Sequence, residues 1–233
     1  MTLTGVFLNA GGVFAAGVLG ALIRRGIPDR LRRALMLGLG LCVLYLGVSG
    51  FSAETDAIVL VSSIAVGVLL GEAIDIDGRL RRSGAFLQRV LPLRDGQLAD
   101  AFVTSTLFVC VGAMSIVGGI ESGTQGTYDT FLAKTVIDAI VVFLLATSKG
   151  VGCALAAVVA LVYQTAITLC AGWIAGLVDA VVIDQMSEIG SLLIVGIALD
   201  LLDIVHLRIG NYVLAPFLPV VWSLGQGLLA RLG

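Results

Sequence analysis

One histidine, four prolines and four cysteines are all that this 233-residue chain holds of three residue types that usually advertise chemistry or sharp turns. The single histidine, His206, rules out a histidine-rich metal cluster. Cys42, Cys110, Cys153 and Cys170 form no Cys-x-x-Cys pair and sit inside apolar runs, so they read as soft packing residues rather than staples or metal ligands. Charge is also scarce: Asp, Glu, Lys and Arg make up 13% of the chain, about half the share of a soluble globular domain. In their place stand 58% hydrophobic residues and 30 glycines. That balance excludes a water-soluble domain, a disordered chain and a collagen-like fibre, and leaves a membrane protein.

The apolar stretches break at clusters of charge and glycine. They predict eight helices, at 5–23, 33–50, 57–74, 99–120, 130–147, 151–175, 186–203 and 211–230. Each is near the ~20 residues that cross a hydrocarbon core about 30 Å thick. The runs are continuously apolar rather than alternating, which argues against spanning strands. The expected fold class is all-α: a polytopic helical membrane bundle of about eight transmembrane helices, in a single transmembrane domain over 1–233.

Ten of the 14 basic residues fall in two clusters, Arg24, Arg25, Arg30, Arg32 and Arg33, then Arg79, Arg81, Arg82, Arg89 and Arg94. Both lie between runs long enough to span, so they are read as topology signals and not as a nucleic-acid surface. Counted from an outside start, the inside loops carry these clusters, then Lys149, then His206 with Arg208. The outside loops carry Glu54 and Asp56, Glu121 and Asp129, and Asp179 and Asp184. Eight spans with both termini outside satisfy the positive-inside rule throughout. The first 23 residues lack a basic start and end at Arg24-Arg25 instead of a small-residue cleavage site. They read as a first span and not as a removed leader.

Gly67-x-x-x-Gly71 and Gly172-x-x-x-Gly176 are small-residue pairs of the kind that let helices approach closely. There is also a candidate inverted repeat, helices 1–3 against 6–8. Asn9 precedes Gly17 as Gln164 precedes Gly172, and Met36-x-x-x-Gly40 is echoed by Met186-x-x-x-Gly190. Helices five positions apart run in opposite directions, as in many secondary transporters.

A charged side chain at a helix centre costs at least about 2.5–3.5 kcal/mol in hydrocarbon, so each one within a span needs a partner or a wet cavity. Asp138 lies midway along the fifth helix, with Lys134 one turn earlier on the same face. Two readings are open: an ion- or proton-coupled site, or a structural pair in which Lys134 snorkels outward. Gln164, beside Thr165 and Thr168, and Asn9 in the first helix are either interhelical bonds or solute contacts. Glu188 sits near the start of the seventh helix, where it also complements the helix dipole. Glu72 closes the third helix and is expected to pair with the inner arginines or to serve as an ion exit.

Asp75-x-Asp77-Gly78 begins like a calcium loop, but its twelfth position is Phe86 and not the glutamate required. Gly123-Thr124-Gln125-Gly126 lacks the Gly-Lys-Ser/Thr of a phosphate loop. No Gly-x-Ser-x-Gly, His-Glu-x-x-His or Ser/His/Asp set is present. No catalytic residue, metal site, cofactor or nucleic-acid partner is therefore expected, and the chain is not expected to be an enzyme.

Several blocks in order along the chain resemble one family. They are Arg25-Gly26-Ile27-Pro28, Gly38-Leu39-Gly40-Leu41-Cys42-Val43 and Gly71-Glu72-Ala73-Ile74-Asp75-Ile76-Asp77-Gly78-Arg79-Leu80. Cys110-Val111-Gly112-Ala113-Met114-Ser115-Ile116-Val117-Gly118, Ala133-Lys134-Thr135-Val136-Ile137-Asp138 and Tyr163-Gln164-Thr165-Ala166-Ile167-Thr168 complete the set. In these blocks the chain resembles domain-of-unknown-function family 554, the YdfK/YqgA type. The resemblance implies a bacterial inner-membrane protein and carries over no functional residue. Asp200 and Asp203 make their helix end more acidic than the resemblance implies.

The expected function is transport of a small solute or ion through a pathway lined by polar residues of several helices. The alternative is an oligomeric ion channel, or a non-transporting scaffold packed through glycine-rich faces. The expected partners are the lipid bilayer, an unidentified small solute or ion, and further copies of the chain.

Overall fold

The computed structural model describes residues 1–24, 26–51, 56–90, 98–111, 114–176 and 179–223. Arg25, Glu54 and Arg94 of the charge pattern, Gly112-Ala113, and the end of the eighth predicted helix lie outside the described residues. The helices are α1 (Thr4–Arg24), α2 (Asp29–Ser49), α3 (Ala57–Ile74), α4 (Ile76–Val90), α5 (Leu98–Val111) and α6 (Met114–Thr124). They continue with α7 (Asp129–Lys149), α8 (Ala156–Leu169), α9 (Ala171–Ile174) and α10 (Ala180–Leu201). A 3-10 turn, Val151–Leu155, leads into α8. Two more, Ile209–Tyr212 and Ala215–Phe217, open a shorter apolar helical segment, Ile209–Ser223.

Among the described residues six helices are long and apolar enough to cross a membrane, and α5 with α6 makes a seventh if that pair, bent by 57°, is one span. The chain is an all-helical membrane bundle. Several expected boundaries shift for local reasons. The helix expected from 186 begins at Ala180, because the Asp179 carboxylate caps it by accepting from the Val182 N–H at 2.8 Å. Asp184 therefore belongs to a helix and not to a loop. α2 begins at Asp29, directly after Pro28, which puts Arg30, Arg32 and Arg33 on its first turns.

The second arginine cluster is also helical. Asp75 takes the left-handed conformation (φ 53°) that closes α3, and α4 follows at once. α4 carries Arg79, Arg81, Arg82 and Arg89, with Leu80 against the core and Phe86 exposed, as expected of a helix lying along the membrane surface.

Glycine seams set the directions of the helices. α1 runs parallel to α7: Gly5 meets Phe131, Gly12 meets Thr135, and Gly20 meets Phe143 and Ala146. A Cβ on Gly20 would strike the Phe143 carbonyl, so these backbones approach only without one. α2 runs antiparallel to α10, with Gly47 facing Val195 and Gly40 facing Leu202. The expected Gly67/Gly71 pair does pack, against Ala215 and Asn211. The Gly172/Gly176 pair does not: a Cβ on Gly172 meets nothing, and one on Gly176 meets only its own turn.

The bundle thus has an acidic end, where the N-terminus meets α6 (Thr2 N–H to Ser122 carbonyl, 2.9 Å) and where α7 and α10 begin. At the other, basic end α1, α3, α7 and α10 finish and α4 lies.

Candidate functional site

Lys134 and Asp138 are one turn apart on α7 and both are buried, at 4% and 1% exposure. The Lys134 ammonium lies 3.1 Å from Asp138 Oδ1 and 2.9 Å from Oδ2. The snorkelling alternative therefore does not describe this pair. Packing of α1 against α7 brings Asn9, which is fully buried, to the same carboxylate, its Nδ2 donating to Asp138 Oδ2 at 3.0 Å. From α8, Gln164 Nε2 donates to Asn9 Oδ1 at 2.9 Å.

The polarity of this chain follows from its charged member. An ionised carboxylate only accepts, so Asn9 must offer its NH2 to Asp138 and its carbonyl to Gln164. Gln164 must then donate, and its Oε1 is left without a hydrogen-bond partner among the described residues. Asn9, Lys134, Asp138 and Gln164, four of the six residues expected to line a pathway, thus converge on one bonded chain across three helices.

A cavity of about 360 Å3 reaches this chain from the acidic end. Lys134 and Asp138 contribute to its wall, together with Phe108, Met114, Asp184 and Ser187. Glu188 sits beside Ser187 on α10 but is buried away from this cavity. Glu72 is exposed at the basic end, where Arg208 Nη1 lies 3.5 Å from its Oε2. That is the arginine pairing expected of it, and it is remote from Asp138.

The basic end holds a second polar assembly. Asp77, 1% exposed on α4, accepts from Arg81 Nε at 2.7 Å. This contact raises the Arg81 pKa above its ordinary value despite partial desolvation. Arg81 Nη1 also lies 3.7 Å from Asp100, which pairs with Lys149. The Asn211 side chain accepts from the Asp77 N–H at 2.7 Å and so caps α4 from the far end of the chain. Asp77, Asp100 and Asn211 were missed in the sequence. Lys149 read as a topology charge and Asp77 as part of a failed calcium loop, and only their meeting gives them meaning.

Two further cavities, of about 470 and 420 Å3, open beside this assembly and share Asp100, Lys149, Asp200 and Asp203. The same helices, α2, α5, α7 and α10, line the cavities at both ends. Between the two sets of lining residues lie Leu39 and Val43, Phe102 and Leu107, Val141 and Leu145, and Ile197, all in one buried apolar cluster. On α7, ten residues separate Asp138 from Ser148, about 15 Å of helix.

The family model described as "Protein of unknown function (DUF554)" matches residues 4–224, nearly the whole chain. The chain belongs to this family. It is 27% identical over 221 residues to "Uncharacterized membrane protein YdfK" of Bacillus subtilis (strain 168), covering 93% of this chain and 94% of that one. It is 24% identical over 206 residues to "Uncharacterized protein YqgA" of Escherichia coli (strain K12), covering 86% and 87%. No solved structure matches. DUF554 membership and the apolar helices together make this chain a membrane protein. The expected resemblance holds.

Proposed function

We propose that the chain is a multi-spanning transporter or permease for a small solute or ion in the bacterial cytoplasmic membrane, with no enzymatic step. The observation that carries this reading is the pair of cavities at opposite ends of one set of four helices, parted by an apolar layer. A buried ion pair lines the one at the acidic end. Two vestibules and a closed middle are what alternating access requires at one point of its cycle. The positive-inside rule puts the basic end in the cytoplasm and both termini outside. The Arg81–Asp100 contact between α4 and α5 and the Asp100–Lys149 pair between α5 and α7 then hold the cytoplasmic side shut.

The inverted repeat is part of this reading. It is supported by contacts between the first and sixth, second and seventh, and third and eighth of the eight helices read from the sequence, namely α1 with α8, α2 with α10, and α3 with Ile209–Ser223, while α1 packs most extensively on α7. A two-fold axis in the membrane plane predicts such self-paired neighbours.

Thiol accessibility tests the proposal. Ser187→Cys is labelled with a membrane-impermeant maleimide from the acidic side, above the parent chain's background. Adding Asp100→Asn, which releases Lys149 and Arg81, lowers that labelling in a transporter because opening one side closes the other. Labelling that rises would favour a channel. Labelling that does not change would remove the coupling on which the proposal depends.

One observation favours the scaffold alternative: both oxygens of Asp138 are already engaged, by Lys134 and Asn9. A scaffold needs that pair for folding alone, and substituting both members, Lys134→Met with Asp138→Leu, separates the two readings.

A further inference from the structure

We propose that the cavity at the acidic end binds a small zwitterion, specifically an α-amino acid with an apolar side chain. Its role as transported substrate rests on the transport reading above, whereas its binding does not.

Lys134 has three diverging ammonium hydrogens, and both Asp138 oxygens lie on one side of the nitrogen, so at least one hydrogen is not engaged by the carboxylate. Both Asp138 oxygens are engaged within the protein, Oδ2 by Asn9 as well as by Lys134. The deep part of the cavity therefore offers a ligand one charge-assisted donor and no free carboxylate. Asp184 supplies the opposite feature: it is exposed, lines the same cavity and enters no ion pair among the described residues.

The cavity thus carries one donor site and one acceptor site of full charge, and the lining sums to a single net negative charge. A simple anion satisfies Lys134 but faces Asp184. A simple cation satisfies Asp184 and leaves the Lys134 hydrogen unused. A ligand with a carboxylate and an ammonium satisfies both. Most of the remaining wall is apolar, including Phe108, Met114 and Ile137, with serine hydroxyls on one side. An apolar side chain fits that wall, and about 360 Å3 is at the small end of ligand sites.

Calorimetry on the purified wild-type protein tests the class directly, with L-alanine, L-valine, L-leucine and L-methionine as probes. At least one is expected to bind. For leucine, loss of the carboxylate (isopentylamine) or of the ammonium (isocaproate) weakens binding by about tenfold or more, the worth of one hydrogen bond to a charged group. No binding by any of the four, or an analogue that binds as tightly as leucine, overturns the proposal. Asp184→Asn lies at the exposed mouth and is expected to remove leucine's advantage over isocaproate; an unchanged advantage also overturns it.

Leucine binding without coupled Ser187→Cys labelling would leave the zwitterion site standing and remove the transport reading. Coupled labelling without amino-acid binding would do the reverse.

Discussion

Asn9 on α1 and Gln164 on α8 are bonded side chain to side chain at 2.9 Å, although 155 residues separate them. Asn9 is the joint of the buried chain, since it hydrogen-bonds to both Asp138 and Gln164. Its removal leaves the Gln164 amide donor unpaired and strips Asp138 Oδ2 of one of its two partners, Lys134 remaining.

Asn9→Leu is accordingly expected to destabilise the protein by roughly 1–3 kcal/mol, the usual cost of orphaning a buried polar group. Adding Gln164→Leu should recover part of that loss, because the orphaned amide disappears with it. Thermal unfolding in detergent measures both. A double variant no more stable than Asn9→Leu alone would show that the Asn9–Gln164 bond is not the source of the effect.

Breaking the Lys134–Asp138 pair from either side leaves an uncompensated buried charge. Lys134→Met is expected to cost about 3–5 kcal/mol, and Lys134→Met with Asp138→Leu far less. The double variant separates the two functional readings. A transporter keeps its fold but loses the fall in Ser187→Cys labelling that Asp100→Asn produces, whereas in a scaffold that labelling responds to Asp100→Asn as it does without the double substitution.

At the basic end, Asp100→Asn releases Lys149 and Arg81 together. Asp100 and Arg81 are each about half exposed but Lys149 is more buried, so the loss in stability should be about 1 kcal/mol. The visible effect is local. Amide hydrogen exchange in α4 should quicken, because Arg81 is one of its ties to α5. Exchange that speeds equally in α1 would point to general loosening instead.

The glycine seams make a contrasting pair of substitutions. Gly20→Val drives a branched side chain into the Phe143 carbonyl and should cost about 1–3 kcal/mol through overpacking. Gly172→Val faces open space and should leave the melting temperature within a degree or so of wild type. A large loss at Gly172 would show that this face is covered by another copy of the chain in the protein as purified.

The helical membrane class, most of the helices and the four polar positions were readable in the residues. Hydrocarbon tolerates a lone Asp, Lys, Asn or Gln so poorly that each stands out against its apolar run. α4 was not readable in the same way, because a run of arginines between spans satisfies the topology rule equally well as loop or as helix. The early start of α10 was hidden for a related reason: Asp179 and Asp184 counted as loop charges, though one of them is a helix cap. Gly172 and Gly176 show the converse, a packing motif with nothing packed on it in this chain.

By itself the sequence determined the solvent of this protein, its helical class and which side chains required a partner, because the transfer cost of each residue acts locally. Only the tertiary structure decided who those partners are. The contact of Asn9 with Asp138 depends on α1 lying parallel to α7, and that with Gln164 on α8 reaching the same level. The seam that aligns α1 and α7 runs through Gly5, Gly12 and Gly20, residues with no side chain to signal what they touch. The two cavities and the apolar layer between them are likewise properties of four helices together and are encoded in no single one.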